Sequence, residues 1–193
     1  MATRVLILLG SPRRKGNSET LALALAEGAR RKGAHVEMVR LNALKIRPCQ
    51  GCGKCQEEGA KGCVQKDDMT ALYPKVLAAD ALVVASPIYW FSVSAQAKLF
   101  IDRLYAIAAN DKGGLRGTRL AVILTYGDAD PFFSGAVNAM RMFQDISAYL
   151  ETDLVDMVHG SADAPGEVGK NRKLMTIARR LGERIASGGE SND

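Results

Sequence analysis

Short apolar runs that alternate with amphipathic segments are the feature that most constrains the fold of this chain. Residues 5–9 are a continuous apolar run of the kind that forms a strand buried on both faces of a parallel sheet, and residues 81–87 and 118–127, also rich in apolar residues, predict two further buried strands. Residues 35–41 alternate as in a strand nearer an edge, and residues 152–160 predict the last strand. Because a helical segment follows each strand, the pattern predicts an α/β fold: a doubly wound, five-stranded parallel sheet with helices on both faces.

The segments between the strands carry helix boundary signals. Ser18 and Ser94 are residues of the type that caps the start of a helix, and Gly33 is of the type that ends one. We therefore predict helices over residues 18–33, 67–80, 94–108, 132–150 and 169–186.

Composition narrows the class of protein. The chain has 193 residues, 47% hydrophobic and 24% charged, which fits one domain over residues 1–187 with a polar tail at residues 188–193. The net charge of +5 comes from scattered basic residues and only 6% of residues are aromatic, which argues against nucleic-acid binding and favours anionic small molecules. The sequence has no apolar run of about 18 residues that would predict a membrane span, and its first run lacks a signal-peptide cleavage site. We therefore expect a cytoplasmic protein with reduced thiols.

Three loops follow strand ends in this pattern: residues 10–18, 86–94 and 125–135. In doubly wound sheets, ligands bind outside the carboxyl ends of the strands, near the change in strand order. Any cofactor is therefore expected among these three loops.

The first loop leads from a buried strand into a helix, so its N–H groups and the positive end of the helix dipole can bind a phosphate. Ser11, Asn17 and Ser18 add donors, and Arg13 or Lys15 adds positive charge. The glycine spacing fits neither the dinucleotide fingerprint nor a P-loop. An ordinary polar loop is the alternative.

The second loop places bulky side chains where a surface loop is usually polar. Four of them, Ile88 to Phe91, follow Pro87 and suit either a flat aromatic ligand or a neighbouring subunit. The third loop offers hydroxyl and N–H groups for the polar edge of the same ring, with a plain turn as the alternative.

All four cysteines lie within residues 47–65, with the spacing C-x2-C-x2-C-x7-C. The glycines between them allow a tight turn, so that the thiolates can face a common centre. Four thiolates can hold a [4Fe–4S] cluster or bind zinc tetrahedrally. Free thiols, or a disulfide between near neighbours such as Cys52 and Cys55 formed in air, are the alternatives.

Taken in order, the motifs GSPRRKGNSETL, SPIYWFSVSAQAKLFIDR and TYGDAD resemble the phosphate loop and two ring loops of the flavodoxin-like, NAD(P)H-dependent FMN reductases. The segment RPCQGCGKCQEEGAKGCVQKDDM is similar to the cysteine loop of the iron–sulfur flavoprotein branch of that family. The resemblance spans nearly the whole chain and implies a flavodoxin-like fold.

The resemblance also implies the cofactors and their contacts. FMN would be bound without a covalent bond, its phosphate contacting Ser11, Arg13, Asn17 and Ser18. Its ring would contact two groups of residues: Pro87, Ile88, Tyr89, Trp90 and Phe91, and Thr125, Tyr126, Gly127 and Asp128. A [4Fe–4S] cluster would be bound by Cys49, Cys52, Cys55 and Cys63. Homodimers or homotetramers are implied as well, with a neighbouring subunit closing over the flavin.

No catalytic acid, base or nucleophile is expected, because a flavin carries the hydride while the protein tunes and shields it. The two histidines, His35 and His159, are expected to be structural. The main hypothesis is an oxidoreductase that takes hydride from NAD(P)H and passes electrons to a quinone, a flavin, a metal oxyanion or a protein. The rival hypotheses are an FMN-binding electron carrier that does not itself oxidise NAD(P)H, and a non-redox protein of the same fold that binds another ligand and is stabilised by zinc.

Overall fold

A parallel sheet forms the centre of the computed structural model, which describes residues 2–110 and 114–188. Its strands are β1 (Arg4–Leu9), β2 (His35–Arg40), β3 (Ala81–Tyr89), β4 (Ser92–Val93), β5 (Arg119–Tyr126) and β6 (Asp153–Ser161). Five of them pair in parallel in the order β2-β1-β3-β5-β6. The predicted parallel sheet is therefore present, together with a short sixth strand, β4, that pairs antiparallel with the end of β3 and was not predicted.

Helices lie on both faces of the sheet. α1 and α6 cover one face, and α2 to α5 lie on the other. Their bounds are α1 (Asn17–Arg31), α2 (Met69–Ala78), α3 (Ala95–Arg103), α4 (Tyr105–Asn110), α5 (Ala136–Leu150) and α6 (Arg172–Ala186).

The continuous apolar runs are explained by two separate cores. Side chains alternate between the faces of a strand, so Val5 and Ile7 of β1 pack with α1 and α6, while Leu6 and Leu8 pack with α2 and α3. Both faces of the central strands are therefore covered, and neither can be polar.

Helices α1 and α6 approach each other through glycine. A Cβ atom on Gly182 would lie 1.9 Å from the carbonyl oxygen of Leu25, and one on Gly28 would lie 2.0 Å from that of Arg179. Larger residues would force the two helices apart.

Several helix boundaries differ from the predictions. Gly16, not Ser18, is the N-cap of α1, because the extended backbone begins to turn there and Ser18 already lies inside the helix. Ser94 does cap α3, since its Oγ accepts a hydrogen bond of 3.3 Å from the N–H of Ala97. The helix predicted from residue 132 begins at Ala136, because Asp130 Oδ1 accepts bonds from the next turn and Gly135 adopts a left-handed conformation.

The remaining differences concern the third and last helices and the tail. The helix predicted over residues 94–108 is divided into α3 and α4, and the last helix begins at Arg172 after a short 3-10 turn. Of the predicted polar tail, residues 189–193 lie outside the described residues. No helix within residues 2–110 and 114–188 is long and apolar enough to cross a bilayer.

Candidate functional site

The carboxyl ends of β1, β3 and β5 open into two adjoining cavities, which we call the edge cleft. The cavity beside the start of α1 measures about 140 Å³, and the one beside the β3–β4 turn about 480 Å³. The structure brings all the predicted FMN contacts to one or both cavities: Ser11, Arg13, Asn17, Ser18, Pro87, Ile88, Tyr89, Trp90, Phe91, Thr125, Tyr126, Gly127 and Asp128. The three predicted loops therefore meet in one cleft.

The narrow end of the edge cleft is lined by hydrogen-bond donors. No side chain in the described part of the chain caps α1, whose first turn closes with a bond of 3.0 Å from Thr20 N to Gly16 O. The N–H groups of Asn17 and Ser18 therefore have no intrahelical partner. The hydroxyl-bearing residues Ser11 and Ser18 are buried, and Arg13 is exposed at the rim. Uncapped amides and buried hydroxyls at a helix amino end fit the phosphate of FMN.

The side chain of Asn17 holds a fourth loop that the sequence analysis missed. Its Nδ2 donates to the carbonyl oxygens of Ala162 and Ala164, both at 3.0 Å, and its Oδ1 accepts from the N–H of Val168 at 3.2 Å. Only the backbone N–H of Asn17 is left for a ligand. The loop adds Ala162, Asp163 and Pro165 to the lining of the narrow cavity. The sequence did contain a signal for this fourth loop. The predicted last strand, β6, is parallel to the others, so its carboxyl end lies at the same edge of the sheet as those of β1, β3 and β5.

The wide end of the cleft is bordered by a strained turn between β3 and β4. Trp90 and Phe91 both have left-handed backbones, with φ of 47° and 63°, a conformation that costs bulky residues about 1–3 kcal/mol each. Gly135 makes room for this turn, since a Cβ atom there would lie 2.5 Å from that of Phe91. Asn138 Nδ2 also donates to the carbonyl oxygen of Phe91 at 3.3 Å. The surroundings thus hold the backbone of this turn, and Trp90, which is 92% exposed, lies at the mouth of the cleft.

Tyr126, which lines both cavities, is supported from behind by His159. The Tyr126 hydroxyl lies 3.0 Å from His159 Nδ1, and the two rings are stacked. Burial lowers the pKa of His159. Burial, helped by the charge of Asp130, raises the pKa of Tyr126. Both shifts favour a neutral pair, in which His159 holds a cleft residue in place.

The cysteine loop supplies four sulfur donors without assembling them. Cys49 and Cys52 are exposed, Cys55 is buried and Cys63 is partly buried. Cys49 lines a groove beside α5, whereas Cys63 lines a separate cavity beside α2. Within residues 2–110 and 114–188, no three Cys, His, Asp or Glu side chains are close enough together to hold a metal ion. The donor chemistry suits an iron–sulfur cluster, but this arrangement of the loop does not form its site.

An apolar groove of about 800 Å³ lies away from the edge cleft, between α3–α4 and α5. Tyr105 and Tyr149 are its largest exposed side chains. Charged residues of both signs, Asp102, Arg141 and Asp145, also line it.

The sheet order and the edge cleft define a flavodoxin-like α/β protein with a ligand-sized cleft at the carboxyl edge. An NAD(P)H:quinone oxidoreductase from Methanothermobacter marburgensis has a similar structure, with a TM-score of 0.74 and 23% identity over 96% of this chain and 98% of that one. The sequence pattern of the NADPH-dependent FMN reductases matches residues 3–156. The chain belongs to this family of oxidoreductases, which implies FMN as cofactor and NAD(P)H as co-substrate.

Several relatives carry the name iron–sulfur flavoprotein. One from Archaeoglobus fulgidus is 33% identical over 191 residues, covering 95% of this chain and 79% of that protein. The one from Methanosarcina thermophila is 37% identical over 94 residues, covering 49% of this chain and 48% of that protein. The chain thus matches about half the length of the second relative. The family resemblance predicted from the motifs is confirmed.

Proposed function

We propose that this chain binds FMN in the edge cleft, where the cofactor accepts hydride from NAD(P)H and passes electrons to a quinone, a flavin, a metal oxyanion or a protein acceptor. One observation carries the proposal: uncapped amides at the start of α1 and an aromatic wall lie at the two ends of a single cleft. This pairing suits a ligand with a phosphate at one end and a flat ring at the other.

The proposed roles of the residues follow from their positions. Ser11, Ser18, Arg13 and the N–H of Asn17 bind the phosphate, while the side chain of Asn17 fixes the neighbouring loop. The residues from Pro87 to Phe91 and from Thr125 to Asp128 surround the ring and limit its contact with water. No side chain is assigned an acid, base or nucleophilic role in the hydride step.

A visible spectrum and anaerobic mixing test this proposal. The purified protein should show flavin absorption bands, and addition of NADPH or NADH should bleach them rapidly. Colourless protein that takes up no added FMN would refute the cofactor assignment.

The second candidate function is an FMN-binding electron carrier that does not itself oxidise NAD(P)H. The exposed aromatic side chains at and near the mouth of the cleft favour it, because they offer a surface on which a redox partner can dock: Trp90, Phe132 and Phe133. In the same mixing experiment, flavin that NADPH and NADH leave oxidised but a strong reductant bleaches would favour the carrier.

We further propose that Cys49, Cys52, Cys55 and Cys63 bind a [4Fe–4S] cluster in a rearranged loop. The concentration of all four cysteines in one loop and the names of the relatives support this. Anaerobic purification followed by iron and sulfide analysis tests it. About four iron and four sulfide per chain are expected, whereas zinc or no metal would refute it.

Self-association is proposed as well, with a second copy of the chain on the apolar groove. Acidic and basic residues occur together in that groove, so a two-fold arrangement can place Arg141 of one copy beside an aspartate of the other. Light scattering should give the mass of a dimer or tetramer, and Tyr149→Glu should shift it toward the monomer.

For the intact protein we propose a cytoplasmic location, in keeping with its free cysteines.

A further inference from the structure

A buried arginine at the end of α3 ties the cysteine loop to the rest of the protein. The Arg103 side chain is 1% exposed. Its Nη1 donates to the carbonyl oxygen of Arg47 at 2.8 Å and to Asp67 Oδ2 at 2.6 Å. Its Nη2 donates to Asp67 Oδ1 at 3.2 Å and contacts Cys63 Sγ at 3.5 Å. One guanidinium therefore contacts Arg47 at the start of the loop, Asp67 two residues beyond its end, and Cys63, its last cysteine. We call these contacts the tie.

The Arg103–Asp67 pair is held in its charged form. Burial disfavours ionised Asp67, but hydrogen bonds from Arg103 and from the N–H of Arg47 outweigh it and lower the pKa of Asp67. The Tyr73 hydroxyl adds a bond of 3.0 Å to the Arg103 carbonyl oxygen. Buried, doubly hydrogen-bonded ion pairs of this kind are costly to break by removing one partner.

The amino-terminal half of the loop is built differently. Cys49 and Cys52 are exposed. Gly51 and Gly53 beside them have φ of 62° and 70°, and in the described part of the chain no atom beyond the flanking residues lies within 4 Å of where their Cβ atoms would be. This half can change its backbone at little steric cost.

We propose that Arg103 is the positioning residue of the cysteine loop: it fixes Cys63 and both ends of the loop, so that Cys49 and Cys52 are the cysteines that move when a metal binds. This explains why the loop holds four donors without assembling them. The part of the proposal that concerns metal binding rests on the proposed iron–sulfur role, whereas the tie through Arg103 does not.

Hydrogen exchange of the full-length, flavin-loaded protein tests the tie. In the wild type, amides at residues 45–47 and 67–69 should exchange more slowly than those at residues 50–53. Arg103→Gln should speed exchange at both tied segments by about tenfold or more, because it removes charge-assisted bonds. Exchange in β5, to which the Arg103 guanidinium donates no hydrogen bond within the described residues, should stay unchanged.

Two further variants separate positioning from general stability. Arg47→Gln is the matched control, because its side chain is 57% exposed and, among the described residues, donates only to the Lys66 carbonyl oxygen at 3.1 Å, with Nε 3.9 Å from Asp67 Oδ2. Since exposed pairs of this kind contribute little, exchange should speed up far less than in Arg103→Gln. Arg103→Lys keeps the positive charge beside Asp67 but lacks the planar guanidinium that bonds Asp67 and the Arg47 carbonyl oxygen at once. It should therefore restore slow exchange at residues 67–69 and not at residues 45–47. Equal exchange in Arg103→Gln and wild type, or faster exchange in β5 for both Arg103 variants, would overturn the proposal.

Cobalt(II) added alone to iron-free, flavin-loaded protein tests the consequence for metal binding. Thiolate-to-cobalt absorption should appear in the wild type and in Arg47→Gln, and Arg103→Gln should bind cobalt about tenfold more weakly or worse. Equal affinity in Arg103→Gln and wild type would overturn the positioning role. If the wild type gives no such absorption while the exchange pattern holds, the iron–sulfur proposal fails and the tie stands.

Discussion

Gly16→Asp tests whether the uncapped start of α1 is the phosphate site. Gly16 is the N-cap of α1 and already has φ −69° and ψ 167°, which an aspartate adopts without strain. Its new Cβ would lie 3.1 Å from Ser11 Oγ, so that hydroxyl must shift by a few tenths of an ångström. The carboxylate would accept bonds from the helix amides and place a negative charge beside the narrow cavity.

The two expected effects have opposite signs. Without flavin, the cap and the helix dipole should stabilise the protein by up to about 1 kcal/mol, raising its Tm by about 1–3 °C. With FMN, like unit charges about 5 Å apart repel by about 3 kcal/mol at an effective dielectric constant of about 20. Because a phosphate monoester carries about −1.5 to −2 at pH 7, the total is about 5 kcal/mol, or roughly three to four orders of magnitude in Kd.

Flavin fluorescence titrations of the flavin-free protein measure the effect. Riboflavin lacks the phosphate, so its Kd should be the same for Gly16→Asp and wild type. Gly16→Ser adds the same Cβ and a neutral cap, and its FMN affinity should stay much closer to that of the wild type. The reasoning is refuted if Gly16→Asp binds FMN normally, or if it loses riboflavin to the same extent as FMN.

Three other predictions concern the surroundings of the cleft and the helix layer. Trp90→Asn should raise the Tm of the flavin-free protein by about 2–4 °C, because asparagine tolerates the left-handed backbone and little packing is lost; an unchanged Tm would contradict the strain at this turn. Burial lowers the pKa of His159 below its ordinary 6.5. As the pH falls below 6.5, the unfolded chain therefore binds more protons at this residue than the folded protein does. The stabilisation that neutral His159 provides is lost as the pH falls through the lowered pKa. The Tm advantage of wild type over His159→Gln should therefore shrink on acidification, and an advantage that grows would refute the sign. Gly182→Ala should cost about 3 kcal/mol in urea unfolding, because its Cβ would overlap the Leu25 carbonyl oxygen and force α1 and α6 apart; wild-type stability would contradict this contact.

The parallel sheet and the cleft could be predicted because they depend on local patterns. The apolar runs in β1, β3 and β5 are buried on both faces, and chain order places their carboxyl ends at one edge. The loops that follow these strands could be named before their geometry was known. The helix starts were predicted less accurately. α5 begins at Ala136 rather than at residue 132, because the Asp130 side chain closes a turn there and Gly135 is left-handed. Periodicity reveals neither feature.

The features that were missed all depend on long-range contacts. Asn17 bonds to residues more than 140 positions away, so its role in holding the loop after β6 has no local signature. The left-handed turn at Trp90 and Phe91 contradicts local preference, which favours asparagine and glycine there. It persists because Gly135, just before α5, and Asn138, on α5, accommodate it. Periodicity predicts only that Arg103 lies in an amphipathic helix, and the tertiary fold alone places Asp67 and Cys63 against it.

Helix α3 joins the two regions to which we assign redox roles. At its start, Ser94 Oγ donates to the Gly10 carbonyl oxygen at 2.7 Å, beside the edge cleft. At its end, Arg103 holds the cysteine loop. The helix spans nine residues, or about 13 Å, so a substitution that displaced the whole helix would disturb both regions. Arg103→Gln with an altered loop and unchanged FMN affinity would show that the tie acts locally. Loss at both ends would show that α3 transmits the change as a rigid body.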